Sequence, residues 1–252
     1  MNLKRNSPGG APHAPLPEYY GAESARRTWV RDIFNRTADD YDRVEAVMSA
    51  GTGPRYRRLA LLRAGLTAGM QVLDVGTGTG LVAKQALRIV GEGGTVTGVD
   101  PGIGMLSAGR FPAGIRAVAA LGERLPFAAQ RFDFLSMGYA LRHVADISWL
   151  FAECHRVLKP GATVCVLEIT RPAGRAANAM LKAYMRTIVP LITRVLARHV
   201  ETATLMRYYW DTIEACVAPE VVLSALQAAG FECVERHVEI GIFSEYRGRR
   251  PS

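Results

Sequence analysis

The sequence predicts an α/β fold, a doubly wound and mostly parallel sheet with helices on both faces. Three observations predict it. Between Gln71 and Thr170, short apolar runs alternate with helix-period segments. The first run, VLDVGTGTGL from Val72 to Leu81, reaches an acid and then a glycine-rich turn that opens a helix. The alternation breaks once, at a helical stretch over residues 174–212 that reads as a cap insertion.

The elements follow in order. Residues 1–22, which include NSPGGAPHAPLPEYYG, are rich in Pro and Gly and are expected to form a flexible tail. Residues 23–252 read as one domain, opening with N-terminal helices over residues 23–66. From Ala25 to about Met48, Trp29, Ile33, Phe34, Tyr41, Val44 and Val47 share one helical face. A second helix is expected from Tyr56 to Ala64. QVLDVG is a buried strand and LVAKQALRIV the helix after it. TVTGVD is the second strand, with a helix beginning near Gly104 and Met105. IRAVAA is the third strand and FDFLSMGYA the fourth, followed by a helix from Ile147 to Leu158. Lys159-Pro160-Gly161 breaks the chain before a fifth strand, ATVCVLEIT. Beyond the cap, VVLSALQAAGF is an amphipathic helix ended by Gly230, and ECVERHVEIGIFSEYRGR closes the sheet as one or two strands.

Composition narrows the class. The chain has 252 residues, 49% of them hydrophobic, which allows a sizeable core. Its net charge of +8 favours acidic partners in general. The basic residues are spread along the chain without a dense block, so they read as solvated surface and no nucleic-acid partner is expected. Cys154, Cys165, Cys216 and Cys233 form no CxxC pair and have no His at ligand spacing. Buried free thiols in a reducing compartment are expected, with no disulfide framework and no metal site. MNLKRNSPGG lacks the apolar core of a signal peptide, and no apolar run reaches the ~18 residues of a membrane span. The nearest candidate, MLKAYMRTIVPLITRVLARHV, carries Lys182, Arg186, Arg194 and Arg198. The expectation is a soluble cytoplasmic protein.

The glycine turn asks which ligand it holds. A triphosphate loop needs Lys after its last glycine, and none follows Gly80. A dinucleotide turn needs GxGxxG, and Leu81 stands at the third glycine position, which disfavours a NAD oxidoreductase. The glycines are Gly76, Gly78 and Gly80, with Asp74 two residues before the first. Such a turn still lets backbone approach a ligand closely. Asp100, ending the second strand, suits the hydroxyls of a ribose.

LDVGTGTG, GVD-x4-ML, GERLPF, the Arg131–Phe132–Asp133 step and HRVLKPGA, taken in order, resemble the class I S-adenosylmethionine-dependent methyltransferases. The resemblance implies S-adenosyl-L-methionine as cofactor and a seven-stranded Rossmann-like sheet with an antiparallel last pair. It places the cofactor over the first two strands, against Asp74, Gly76, Gly78, Thr79, Gly80, Asp100, Met105, Leu121, Gly122 and Gly138. FNRTADDYDRVEAVMSAG, ALRHVAD, LEITRP and EYRGRR further resemble the ubiquinone/menaquinone-biosynthesis C-methyltransferases, which methylate a ring carbon of a prenylated quinol. That family places the N-terminal helices as a lid, with Tyr41 and Met48 over the cofactor. The chain departs from the family pattern at Glu45 and His143, where Asn is usual, at Gly53–Pro54, where His-Arg is usual, at Tyr56 and at Leu121.

Methyl transfer from a sulfonium needs a positioned, electron-rich acceptor. A cation that stabilises a phenolate would raise density at the ortho carbon, and a base would remove the hydroxyl proton. Arg142, just past the fourth strand, is expected as that cation, the alternative being an ion pair with Asp133 or Asp146 that holds the loop. His143 is the candidate base, or a satisfied structural histidine. Tyr139 either lines the pocket or packs in the core, and Glu168 is either structural or substrate-facing.

The leading reading is a C-methyltransferase acting on a quinol-like, lipid-tailed aromatic acceptor. The same cofactor with a small aromatic or polyketide-like natural product, methylated on O, N or C, is the runner-up. A protein that binds S-adenosylmethionine and transfers no methyl is the third reading. A nucleic-acid methyltransferase is weaker, because GYALRH stands where Asn-Pro-Pro-aromatic would be needed. The basic cap is read either as a cover that also dimerises the protein or as a peripheral contact with an anionic membrane.

Overall fold

The structure, a computed structural model, describes residues 10–252. Its strands are β1 (Gln71–Val75), β2 (Thr95–Asp100), β3 (Ile115–Ala119), β4 (Phe132–Gly138), β5 (Leu158–Ile169), β6 (Glu232–Glu239) and β7 (Phe243–Arg249). They form one sheet in the order β3-β2-β1-β4-β5-β7-β6. The first five pair in parallel, and β7 runs antiparallel to both β5 and β6. The expected seven strands with an antiparallel closing pair are therefore present. The chain steps outward from β1 to β3 and returns to β4 on the other side of β1. That reversal opens a crevice at the carboxyl ends of β1 and β4.

Residues alternate between the two faces of β1. Val72 packs with Val96, Phe134 and Leu167 against α3 (Gly53–Arg63) and α4 (Leu81–Val90). Leu73 and Val75 pack with Leu135, Met137 and Val166 against α6 (Ile147–Val157) and α10 (Pro219–Ala228). Both faces are covered, which is why the strand reads as one apolar run. Asp146 caps α6, accepting from the Ser148 amide at 2.8 Å and the Trp149 amide at 3.2 Å.

A third apolar cluster lies above the crevice. It joins α2 (Glu23–Met48) to α8 (Val189–Leu196) and α9 (Glu201–Ala215) through Ile33, Val44, Val189, Tyr208 and Trp210. α7 (Arg175–Ala183) leads into α8 through one π-helical turn, Tyr184–Ile188. Asp40 of α2 is fully buried and accepts from the Arg198 amide (3.0 Å), the His199 amide (2.9 Å) and the Thr202 hydroxyl (2.9 Å). The N-terminal helices and the cap thus share one interior.

The expected flexible tail is corrected for its described part; residues 1–9 lie outside the described residues. Residues 10–22 form a docked strap. The Ile147 amide donates to Gly10 O (3.2 Å) and the Val217 amide to Pro12 O (2.8 Å). His13 bridges Cys216 and meets Arg26 Nη2 at 2.9 Å, and α1 (Pro17–Tyr20) buries Tyr20. Pro and Gly suit an extended strap as well as a coil, and these tertiary hydrogen bonds decide between them. The cysteines are free, as expected, but only Cys154 and Cys165 are buried; Cys216 is half-buried and Cys233 exposed. Among the described residues, no helix is long and apolar enough to cross a membrane.

Candidate active site

The crevice is built outward from the end of β1. Asp74 is 1% exposed and accepts from the Ser136 hydroxyl (2.6 Å) and the Thr77 hydroxyl (2.7 Å). Burial pushes its carboxyl up to about 6 while those hydroxyls pull it back. Asp74 therefore ties the glycine turn to β4. Gly76 has φ +66°, and a Cβ there would stand 2.5 Å from Ala140 Cβ. Only glycine lets the loops after β1 and β4 meet this closely. Asp100 accepts from the Gly78 amide (2.9 Å) through Oδ2 and the Gly102 amide (2.7 Å) through Oδ1. Desolvation raises its carboxyl to about 6, against the pull of those amides.

These groups face a cavity of about 730 Å³. Asp74, Gly76, Gly78, Thr79, Asp100, Met105, Leu121 and Gly122 line it, together with Phe34 and Tyr41 of α2 and with Gly138, Tyr139 and His143. α2 is fastened across the opening twice. Thr79 donates to Asp42 Oδ1 (2.5 Å), and the Gly104 amide donates to Asn35 Oδ1 (2.9 Å).

The residues present fit S-adenosylmethionine. The volume lies in the range of small-molecule sites. Backbone without side chains, a carboxylate at the end of β2 and apolar walls at Met105 and Leu121 match an amino acid joined to an adenosine.

Three expected site residues do not line the cavity: Arg142, Met48 and Gly80. Gly80 is the N-cap of α4, with φ +84° and the Phe111 ring where a Cβ would go. The Met48 carbonyl accepts from the Tyr184 hydroxyl (3.2 Å), which fastens α2 to the cap. Arg142 is fully buried, with Nε 3.0 Å from Glu168 Oε2. Burial opposes its charge, but the Glu168 carboxylate together with Tyr209 and Cys216 holds its pKa above the ordinary value. The phenolate-stabilising role expected of Arg142 is therefore corrected: it is buried against Glu168 and does not line the cavity. Its partner is neither alternative considered from sequence, because Asp146 caps α6 and Asp133 pairs with Lys159 at 2.7 Å.

His143 lines the cavity, with Nδ1 3.3 Å from the Tyr208 hydroxyl and its ring edge-on to Phe34 at 5.1 Å. Burial, and then the Arg142, His13 and Arg26 charges, hold its pKa well below the ordinary value. The ring is neutral at physiological pH, and its protonated form is disfavoured. Tyr139 sits at φ +60°, a conformation few non-glycine residues adopt, and such strain concentrates at functional sites.

Sequence reasoning missed Phe34, Asp42, Ala140 and Arg57 as site residues. Asp42 stood in a quoted motif, but its bond to Thr79 spans 37 positions. Arg57 is one of several arginines on α3, and nothing in a single sequence separates it from its neighbours. His237, Glu239 and Glu245 cluster elsewhere, and Arg63 pairs with both carboxylates (3.4 and 2.5 Å).

A sheet of this order, a glycine turn after β1 and an acid ending β2 define a class I S-adenosylmethionine-dependent methyltransferase. Solved structures agree in fold. A phosphoethanolamine N-methyltransferase 2 of Haemonchus contortus, in complex with S-adenosylhomocysteine, superposes with a TM-score of 0.64 at 16% identity, covering 88% of this chain and 60% of that one. A possible histamine N-methyltransferase of Thermotoga maritima gives 0.61 at 20% identity, covering 87% and 99%. The chain belongs to the ubiE/COQ5 methyltransferase family, whose model matches residues 21–249. It is 31% identical to a ubiquinone/menaquinone biosynthesis C-methyltransferase of Stutzerimonas stutzeri over 91% of both chains. It is 30% identical to one of Pseudomonas paraeruginosa over the full length of both. The chain is thus a methyltransferase that uses S-adenosylmethionine.

Proposed function

We propose that this enzyme methylates a ring carbon of a quinol-type aromatic acceptor. One observation carries the reading: a single cavity is lined both by the glycine turn and by Phe34, Tyr41, Tyr139 and His143. Aromatic walls suit a flat ring, and a continuous cavity lets that ring meet the methyl donor directly. The names of the relatives support the same acceptor class. S-adenosylmethionine supplies the electrophilic methyl on a sulfonium.

The chain's residues supply position and exclusion of water. The Asp42–Thr79 and Asn35–Gly104 bonds close α2 over the site. Asp100 and the glycine turn hold the adenosine end. Tyr139 and His143 face the acceptor as neutral hydrogen-bonding groups. The cap exposes Met180, Leu191 and Val195 beside Arg194, which suits a peripheral contact with an anionic membrane and collection of a lipid-tailed acceptor.

The test has two stages. Titration calorimetry with S-adenosylmethionine, S-adenosylhomocysteine and NAD should show binding of the first two alone. Labelled methyl from the donor should then appear on a ring carbon of prenylated quinols, read by carbon NMR. Label on oxygen, or transfer only to unprenylated phenols, would refute the acceptor assignment.

A further inference from the structure

The chamber has a polar corner outside the cofactor cradle. Arg57 lines the cavity near Tyr41 and Tyr139 and is only 3% exposed. Its Nη2 donates to Glu45 Oε1 at 2.6 Å. Its Nε and Nη1 have no acceptor among the described residues. Those two nitrogens carry most of the guanidinium's N–H donors. Leaving a buried donor unmatched costs free energy, and more when the group is charged. A cation kept in that state on a cavity wall points to an anionic ligand as its missing partner.

Two further observations converge on the same corner. Gly53 stands where a Cβ would be 2.7 Å from Arg57 Nη1 and would press into the Glu45 carboxylate. The backbone is thus bare where the pair lies. The Tyr41 and Tyr139 phenols are desolvated, which holds both pKa values above the ordinary range despite the Arg57 charge. Both therefore stay protonated, and neither hydroxyl meets a hydrogen-bond partner among the described residues. The Arg57 guanidinium carbon lies 5.6 Å from the Tyr139 ring centroid. Arg142 is likewise paired, with Glu168, but it does not line the cavity.

We propose that Arg57 is the cation that receives a phenolate oxygen of the aromatic acceptor. This rests on the aromatic-acceptor reading above. Glu45 fixes one arm of the guanidinium and leaves the rest of the fork for the ligand. A fixed cation beside the acceptor hydroxyl favours its ionised form, with the hydroxyl proton released to solvent, and phenolate raises electron density at the ring carbon beside it. One contact then selects a hydroxylated ring and activates it.

The test uses 4-nitrophenol, whose phenolate absorbs visibly, bound to the full chain saturated with S-adenosylhomocysteine. In the wild type the bound probe should ionise about one pH unit or more below the free probe. Arg57→Met should abolish that shift and Arg57→Lys should keep part of it, both with S-adenosylhomocysteine affinity retained. If Arg57→Met loses S-adenosylhomocysteine binding, Arg57→Lys decides by its partial shift. An unshifted or unbound probe in the wild type overturns the proposal, as does an equal shift in Arg57→Met. A persistent probe shift without transfer to any quinol overturns the acceptor assignment and leaves Arg57 in place.

Discussion

Replacing Arg142 tests whether this side chain holds the fold or does chemistry. Its Nε stands 3.0 Å from Glu168 Oε2, with side-chain exposures of 0% and 3%. Arg142→Met keeps much of the volume and leaves the carboxyl with the Leu141 amide at 2.9 Å and no cation. Breaking one side of a buried pair costs about 3–5 kcal/mol. Glu168 relieves part of that by taking up a proton, since burial already pushes its carboxyl upward. A loss of about 3 kcal/mol at neutral pH is expected, which lowers Tm by about 6–12 °C in a domain of this size. The sign with pH follows from linkage. In the variant, the folded pKa of Glu168 stands further above its unfolded value. The variant is therefore most stable below the unfolded pKa and loses stability as pH rises towards neutrality. Adding Glu168→Leu should recover most of the loss, because no charge is left buried. Calorimetric melting at acidic and neutral pH, beside methyl-transfer rates, is the assay. Unchanged melting with turnover reduced about a hundredfold would refute the reasoning and return Arg142 to the acceptor.

Two other perturbations address the cofactor cradle and the cap. Asp100 titrates at about 6, so S-adenosylhomocysteine affinity should be flat above neutrality and fall by up to about tenfold per pH unit in more acid solution. Calorimetry across that range should show Asp100→Asn both weaker and flatter, and a pH-independent wild type would defeat the assignment. Burial opposes the Asp40 carboxylate, but the Arg198 and His199 amides prevail and hold its pKa below the ordinary value. Its stabilisation is thus present above the unfolded pKa and lost as pH falls through the folded one. Asp40→Ala should cost about 2–4 kcal/mol and raise hydrogen exchange across α8 and α9, and unchanged protection there would show the cap docked by packing alone.

The order of elements was legible in the sequence because its signals are local. Alternating apolar runs, the glycine turn and the Lys159-Pro160-Gly161 break each act within a few residues. The cofactor end of the site was legible for the same reason: Asp74, the turn glycines and Asp100 sit at strand ends, where topology sends them to one crevice. Arg142 misled for a related reason. Position along the chain placed it at the right edge, but the turn Leu141–His143 directs its side chain down to Glu168. Residues 10–22 misled because Pro and Gly content limits local conformation and says nothing about the hydrogen bonds to Ile147 and Val217.

The sequence by itself determined the sheet, because strand order follows from short-range pattern, and the resemblance of its motifs to known methyltransferases gave the class and the cofactor. Only the tertiary structure decided which cation meets the acceptor chamber. Arg57 and Arg142 are chemically identical side chains, and each finds a carboxylate, Glu45 for the one and Glu168 for the other; what separates them is that only Arg57 lines the cavity. Burial and pairing are properties of distances between residues far apart in the chain, so no local pattern carries them.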